Sequence, residues 1–587
     1  MNLSNHRKQN FLYGSVILMA STIIVKLIGC LFKIPLTNLI GSSGMGYFNT
    51  SYYLFNLVYA LSVAGLPMAV ARMVAKSCAI GNYKNVRKIQ KISSMGFLIT
   101  GLLGSLILLV FSGPYVVRAH NPDAYWCTVL MAPSIFFCCI SSAYRGYYEG
   151  LQDMYPTAIS QIIEAAIKLI IGYVLAWYII KVGWQQYNET GKIFGKIVSE
   201  DLAENTIIKY SAAGAILGVT ISTLFGSLYI WLRHVVKGDS ISQQSLLQSP
   251  QADCAMNILK QLLQIAVPIC LAAVVMNVSG FIDSQTMLKR LEIALNKNSD
   301  IVLSQYNGLI PSSMKIFRIP NFLFGAYSGM AVNIFNLVPS LVTSFSISIL
   351  PAVTSAITKN DITELKKNME CVLRVTNLLA MPSALALIFL SKPILIALYG
   401  SRLQEAMIAT RSLSLLGFAS IMVALAMPIN SMLQAIGKIT VPAKLMIIGV
   451  IVKFILNQYL IPMPSINING APIATIACYL IVFSFGLWIL IKNTKISLNI
   501  KSVFIKPMIA AIICIMSAHL SFSILSRIKY IAQVKHGLLA LMIAIVISCI
   551  IYLISLILLR AIEKNDILML PKGKIFVKTL EKYDFLG

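Results

Sequence analysis

Five ionisable residues interrupt long apolar runs: Lys26, Glu164 with Lys168, Asp283 and Lys453. A charge at the centre of a bilayer costs at least about 2.5 kcal/mol on insertion scales, so each should face a cavity or a partner. Glu164 and Lys168 are one turn apart on a shared helix face, where they either neutralise each other or meet a substrate or ion. Lys26 has no acid within reach on its own helix and reads as a lone cation in a cavity, with snorkelling to an interface as the alternative. Asp283 either binds a cation or proton or pairs with Lys289 or Arg290. Arg145 and Glu149, again one turn apart, read as a helix-end ion pair. Two polar stripes complete the candidates: Asn56, Tyr59 and Ser62, and Asn333, Asn336, Ser340, Thr343 and Ser344. They either line a hydrated path or bond neighbouring helices to one another.

None of this is enzyme chemistry. The sequence holds no HExxH, GxSxG, Walker A or DxD motif. Without an ATP site, any driving force must come from an ion gradient, the membrane potential or the substrate's own gradient, and no cofactor or metal is expected. The eleven cysteines include no CxxC pair and fall mostly inside apolar runs, as small core residues do.

The elements that position these residues are membrane spans. Of 587 residues 57% are hydrophobic and 12% charged, with mean hydropathy +0.79. About 20 apolar residues cross a bilayer, and runs of that length recur from Phe11 to Leu559. The pattern predicts about fourteen spans, near 11–33, 49–71, 93–112, 125–143, 157–180, 211–232, 261–288, 322–350, 371–391, 407–434, 441–461, 470–491, 505–526 and 537–560. The first reads as a retained helix and not as a cleaved signal. The net charge of +27 is scattered over short loops, which fits anionic headgroups and excludes a nucleic-acid-binding domain. Arg72, Lys76, Lys84, Arg87, Lys88 and Lys91 follow the second span while 37–50 carries no charge, which predicts both termini in the cytoplasm of a multi-pass cell-membrane protein. Segments 181–210 and 289–320 read as polar outer loops, either caps or partner contacts for envelope-synthesis proteins, or solvated insertions.

A weak repeat runs through the chain. Phe55-Asn56-Leu57-Val58 returns as Phe335-Asn336-Leu337-Val338, and Gly150, Pro156 and Lys168 answer to Gly437, Pro442 and Lys453. It predicts an all-α architecture: a six-helix lobe over 1–235, a cytoplasmic linker over 236–260, a second six-helix lobe over 261–495 related by a pseudo-twofold along the membrane normal, and two extra helices with a basic tail over 496–587.

Several blocks resemble a known family. Lys26-Leu-Ile-Gly29 to Pro35-Leu36, Gly41-Ser-Ser-Gly44-Met-Gly46-Tyr47, Gly65-Leu66-Pro67 and Arg145-Gly146-Tyr147-Tyr148-Glu149-Gly150-Leu151-Gln152-Asp153-Met154-Tyr155-Pro156 are similar to polysaccharide transporters of the stage V sporulation protein B type; Ala266-Val267-Pro268, Phe281-Ile282-Asp283 and Gly437-Lys438 follow more loosely. The resemblance implies the MATE-like fold of the multidrug, oligosaccharidyl-lipid and polysaccharide exporters, alternating access, and an undecaprenyl-diphosphate-linked saccharide as substrate, the peptidoglycan precursor lipid II being one form. It further implies that basic residues of the first helix meet the diphosphate. Lys26 takes that place, Lys33 only with a one-residue shift, and the second helix, which in lipid II flippases carries an Arg, has none from Asn56 to Pro67. Lys168, Lys453, Asn56 and Asn336 join Lys26 as expected substrate-binding residues. Two rivals remain: a multidrug cation antiporter of the same fold, which would need an acidic cavity, and a non-transporting scaffold for envelope or spore assembly.

Overall fold

The computed structural model describes residues 11–306, 308–340, 361–438, 440–528 and 537–563, with Val342, Val353, Ala356 and Asp566. Thr343, Ser344, Leu350 and Pro351 lie outside the described residues. Among the described residues thirteen helices are long and apolar enough to cross a membrane, and the first of these stretches, Ile17–Ala79, has 63 residues, length enough for two crossings. The count agrees with about fourteen. The chain divides into two units, Met1–Lys289 and Arg290–Gly587.

Unit 1 is built from α1 (Phe11–Ser62), α2 (Leu66–Ala79), α3 (Tyr83–Arg118), α4 (Tyr125–Gly150), α5 (Tyr155–Thr190), the hairpin β1 (Lys192–Ile193) and β2 (Lys196–Ile197), α6 (Glu200–Lys237), a short α7 (Gln243–Leu247) and α8 (Ala255–Lys297), whose last turns pass into unit 2. The expected first and second spans are not separated by a loop. Helix α1 turns at the single residue Gly41, with φ 65° and ψ −176°, a conformation open essentially to glycine alone. The family-like blocks meet in this unit. A Cβ on Gly146 of α4 would stand 2.6 Å from the Pro67 carbonyl oxygen, and one on Gly65 would stand 2.2 Å from that of Ala266, so α4 and α8 approach the start of α2 backbone to backbone.

The segment 181–210 is not the polar loop expected. Its polar residues extend α5 and α6 beyond the apolar stretch, α5 ends on left-handed Gly191 (φ 67°), and the hairpin turns through Phe194 (φ 47°) and Gly195 (φ 83°), the two positive φ values of a tight primed turn. The segment 289–320 likewise begins as a continuation of α8 to Lys297, followed by α9 (Ser299–Ser304), whose Ile301 amide donates to the Asn298 side chain. The linker is strapped to unit 1: Lys84 Nζ donates to the Ser249 carbonyl at 3.0 Å, Asn85 exchanges bonds with Asp253, and Arg87 pairs with Asp239 at 3.0 Å. Burial pushes the Asp239 carboxyl up, but bonds from Arg87, the Ile241 amide and Tyr147 outweigh it and hold its pKa below the usual range. That contribution is present at neutral pH and is lost only as pH falls through the lowered value.

Unit 2 comprises α10 (Ile319–Gly325), a π-turn over Ala326–Ala331, α11 (Val332–Phe335), α12 (Ile362–Phe389), α13 (Ser391–Tyr399), α14 (Leu403–Ala435), α15 (Val441–Leu460), α16 (Gly470–Thr494), α17 (Lys506–Leu525) and α18 (Leu538–Leu558). Like α5, which has Pro156 in its first turn, α15 opens on Pro442, as the repeat predicts. Arg374, 1% exposed, ties the chain beyond α18 to α12: its guanidinium takes both oxygens of Asp566 at 2.7 and 2.8 Å, Glu563 at 2.5 Å and Ser502 at 2.8 Å. A buried arginine is tolerable only with this degree of compensation. Arg374→Ala strands two carboxylates, which by the usual loss for a buried pair costs about 3–5 kcal/mol. A clearly lowered Tm of the detergent-purified protein is expected; an unchanged Tm would show that the cluster does not hold unit 2 together.

Candidate cationic site in unit 1

Helix α5 opens on Pro156 and carries Ser160, Glu164 and Lys168 at successive turns of one face. Arg145 of α4 reaches that face, its Nε donating to Ser160 Oγ at 2.9 Å and its Nη2 to Glu164 Oε2 at 3.0 Å. The pairs expected from spacing, Glu164 with Lys168 and Arg145 with Glu149, give way to this one, because the packing of α4 on α5 puts a forked guanidinium nearer the acid than the lysine one turn on. Lys168 instead stands over the Phe32 ring, 5.9 Å from its centroid, and lies within the electrostatic reach of Lys33.

Lys33 is the residue the sequence reading set aside. It follows Lys26 by seven residues, two turns along the same face of α1 and roughly 10 Å away. The signal that could have found it was this spacing together with Phe32, which carries Lys168. Beyond the two lysines runs a column of aromatic rings, Phe32, Phe48, Tyr52, Phe55 and Tyr59, with centroids 6.3, 5.1, 5.8 and 5.6 Å apart. Phe32, Phe48 and Phe55 are buried in the core of unit 1, while Tyr52 and Tyr59 are half-buried.

The other expected site residues are spread more widely. Asn56 is half-buried on α1, between the last two rings of the column. Asp283 is buried on α8 beside Tyr53, whose ring lies against Gly280. Lys453 is 2% exposed inside unit 2, one turn before the buried Asn457. Asn336 is exposed in unit 2, with its backbone amide bonded to Val332. The structure therefore gathers Lys33, Lys168, Arg145 and Glu164, with Lys26 two turns along, while Lys453 and Asn336 belong to the other unit. Arg374, an interior charge of the span at 371–391, escaped notice because its partners stand about 190 residues away, behind the last span.

Comparison with known proteins agrees with this architecture. A family model described as polysaccharide biosynthesis protein matches residues 11–199, and one described as MatE matches 325–459. Stage V sporulation protein B of Bacillus subtilis (strain 168) is 24% identical over 576 residues, covering 97% of this chain and 100% of that protein, and the lipid II flippase MurJ of the same organism is 23% identical over 500 residues, 82% of each. Among solved structures, an inward-facing multidrug resistance MATE family transporter of the MOP superfamily superposes with TM-score 0.57 at 13% identity over 82% of this chain and 99% of its own. Lipid II flippase MurJ in an inward closed conformation gives 0.56 at 16% identity over 93% and 98%. The fold is MATE-like, and the resemblance read from the motifs stands.

The charge balance makes a prediction about stability. Glu164→Gln leaves Arg145 without its acid and should lower stability by an amount between that of an exposed and a buried ion pair, about 1–3 kcal/mol, read as a lowered Tm. Lys168→Gln relieves its repulsion with Lys33 and should leave Tm unchanged or raise it. A lowered Tm for Lys168→Gln would make that lysine a structural partner and not a ligand group.

Proposed function

We propose that this chain is a flippase that carries an undecaprenyl-diphosphate-linked saccharide across the cytoplasmic membrane by alternating access, with both termini on the cytoplasmic side. The observation that carries the reading is Lys168 of α5 standing over Phe32, the neighbour of Lys33 on α1, where Arg145 already engages Glu164. Two lysines on the packed helices α1 and α5 offer a dianionic diphosphate two charged donors at once. Lys26 extends the cationic face toward the end of α1, and the half-buried Tyr52 and Tyr59 offer hydroxyls to the sugars while the prenyl chain stays in lipid. The names of two relatives, a lipid II flippase and stage V sporulation protein B, and the match to a polysaccharide biosynthesis model support the same substrate class. The MATE-like fold also serves multidrug transport, but organic cations need acids to receive them, and here the acid that faces the lysines is taken by an arginine.

Reconstituted in proteoliposomes with fluorescent lipid II, the wild-type chain should translocate headgroups. Lys33→Ala and Lys168→Ala should each slow transport by about tenfold or more, the loss expected for one hydrogen bond to a charged group. Normal transport by both variants would remove the site. Failure of the wild type with lipid II and other undecaprenyl-diphosphate glycans, combined with efflux of an organic cation such as ethidium, would overturn the flippase reading in favour of an antiporter.

A further inference from the structure

Away from the cationic site, at the end of unit 1 where the linker is strapped down, helices α3, α4 and α6 enclose a groove with a polar end and an apolar end. The polar chamber, about 560 Å3, is lined by Arg87, Gln90 and Lys91 of α3 with Tyr147, His234 and Asp239. The apolar chamber, about 320 Å3, is lined by Leu98, Phe137, Ile140, Leu224, Leu228 and Trp231. The two share Ser94, Leu98 and Tyr144, so they form one passage. Along α3 its lining residues recur at helical spacing from Arg87 to Leu98, a run of roughly 16 Å. Leu98, Leu228 and Trp231 are more than a third exposed, so the apolar half opens on the surface that faces lipid.

The polar half asks for a ligand. Gln90 is 8% exposed, and neither its Nε2 nor its Oε1 finds a partner among the described residues. A buried amide left unbonded at both ends is costly, and natural interiors rarely keep one. Asp239, the acid in the chamber, is already saturated: Arg87 donates to both of its oxygens at 3.0 and 3.2 Å, Tyr147 to one at 2.9 Å and the Ile241 amide to the other at 3.1 Å. His234 is surrounded by the rings of Tyr144, Tyr147 and Tyr148 and bonded through Nδ1 to the Tyr148 hydroxyl. Lys91 is exposed at the mouth and makes no ion pair among the described residues, and the Arg87 side chain is 48% exposed. The chamber thus presents an exposed lysine, an arginine shared with Asp239 and, just beneath its wall, one amide that needs both an acceptor and a donor, next to an aliphatic slot.

We propose that this groove is a binding site for an anionic glycerophospholipid, with the headgroup phosphate accepting from Lys91, Arg87 and Gln90 Nε2, a headgroup hydroxyl donating to Gln90 Oε1, and one acyl chain lying between Leu98, Phe137 and Leu228. The gradient from charge to hydrocarbon along three helices matches an amphiphile standing in the bilayer, and the basic mouth selects an anionic one. The site is separate from the cationic interior and independent of what is transported there.

The full-length protein, purified in detergent, is tested by native mass spectrometry and thermal shift with phosphatidylglycerol, phosphatidylcholine, undecaprenyl phosphate and inorganic phosphate as separate probes. Phosphatidylglycerol should be retained and raise Tm where phosphatidylcholine does not. Gln90→Leu, which removes the unbonded amide at similar volume and should not destabilise the fold, and Lys91→Gln should each reduce retention by about tenfold, while Lys168→Gln should leave it unaltered. The proposal is overturned if phosphatidylcholine binds equally well, if both groove variants retain phosphatidylglycerol as the wild type does, if inorganic phosphate alone reproduces the shift, which would make this a free-anion site, or if undecaprenyl phosphate displaces phosphatidylglycerol, which would make it an entry point for the transported lipid.

Discussion

Arg145 reaches from α4 to Glu164 on α5 at 3.0 Å, and the charge balance of unit 1 follows from that contact. A guanidinium inside a membrane lobe needs an acid, and a carboxylate there needs a donor; each is costly alone and tolerable together. Because the arginine takes the acid, Lys168 one turn farther along α5 is left to the Phe32 ring and to the field of Lys33. Reversing the pairing, Glu164 with Lys168, would leave the arginine as the surplus charge at the end of α4 and the aromatic column beside a neutral pair.

Unit 2 handles a buried arginine differently. Arg374 meets two carboxylates and a hydroxyl and is enclosed to 1% exposure, so its charge is spent on holding the chain beyond α18 to α12. The contrast separates two uses of charge in one fold. Where acids surround a base the cluster is a fastening; the pair Lys33 and Lys168 is the one proposed to receive an anion.

What the sequence disclosed followed from short-range rules. Apolar runs of about 20 residues announce spans directly, and the opening prolines Pro156 and Pro442 were visible as repeat-equivalent starts. Two errors share one cause, reliance on neighbours in sequence. Spacing of four residues suggested Glu164–Lys168 and Arg145–Glu149, whereas helix packing joined residues 19 apart. Arg374 and Asp566 are 192 apart, beyond any local pattern. The polar stretches 181–210 and 289–320 read as loops because hydropathy reports solvent and not backbone conformation; in the fold they lengthen helices and make one tight hairpin. The turn at Gly41 left only a glycine as its sign.

The central claim is that Lys33 and Lys168 are a diphosphate receptor. It is tested most directly by the affinity of the purified protein for undecaprenyl diphosphate, compared with undecaprenyl monophosphate, in the wild type and in the Lys33→Gln/Lys168→Gln double variant. The account predicts that the wild type prefers the diphosphate and that the folded double variant loses this preference. A double variant that still distinguishes diphosphate from monophosphate as the wild type does would contradict it.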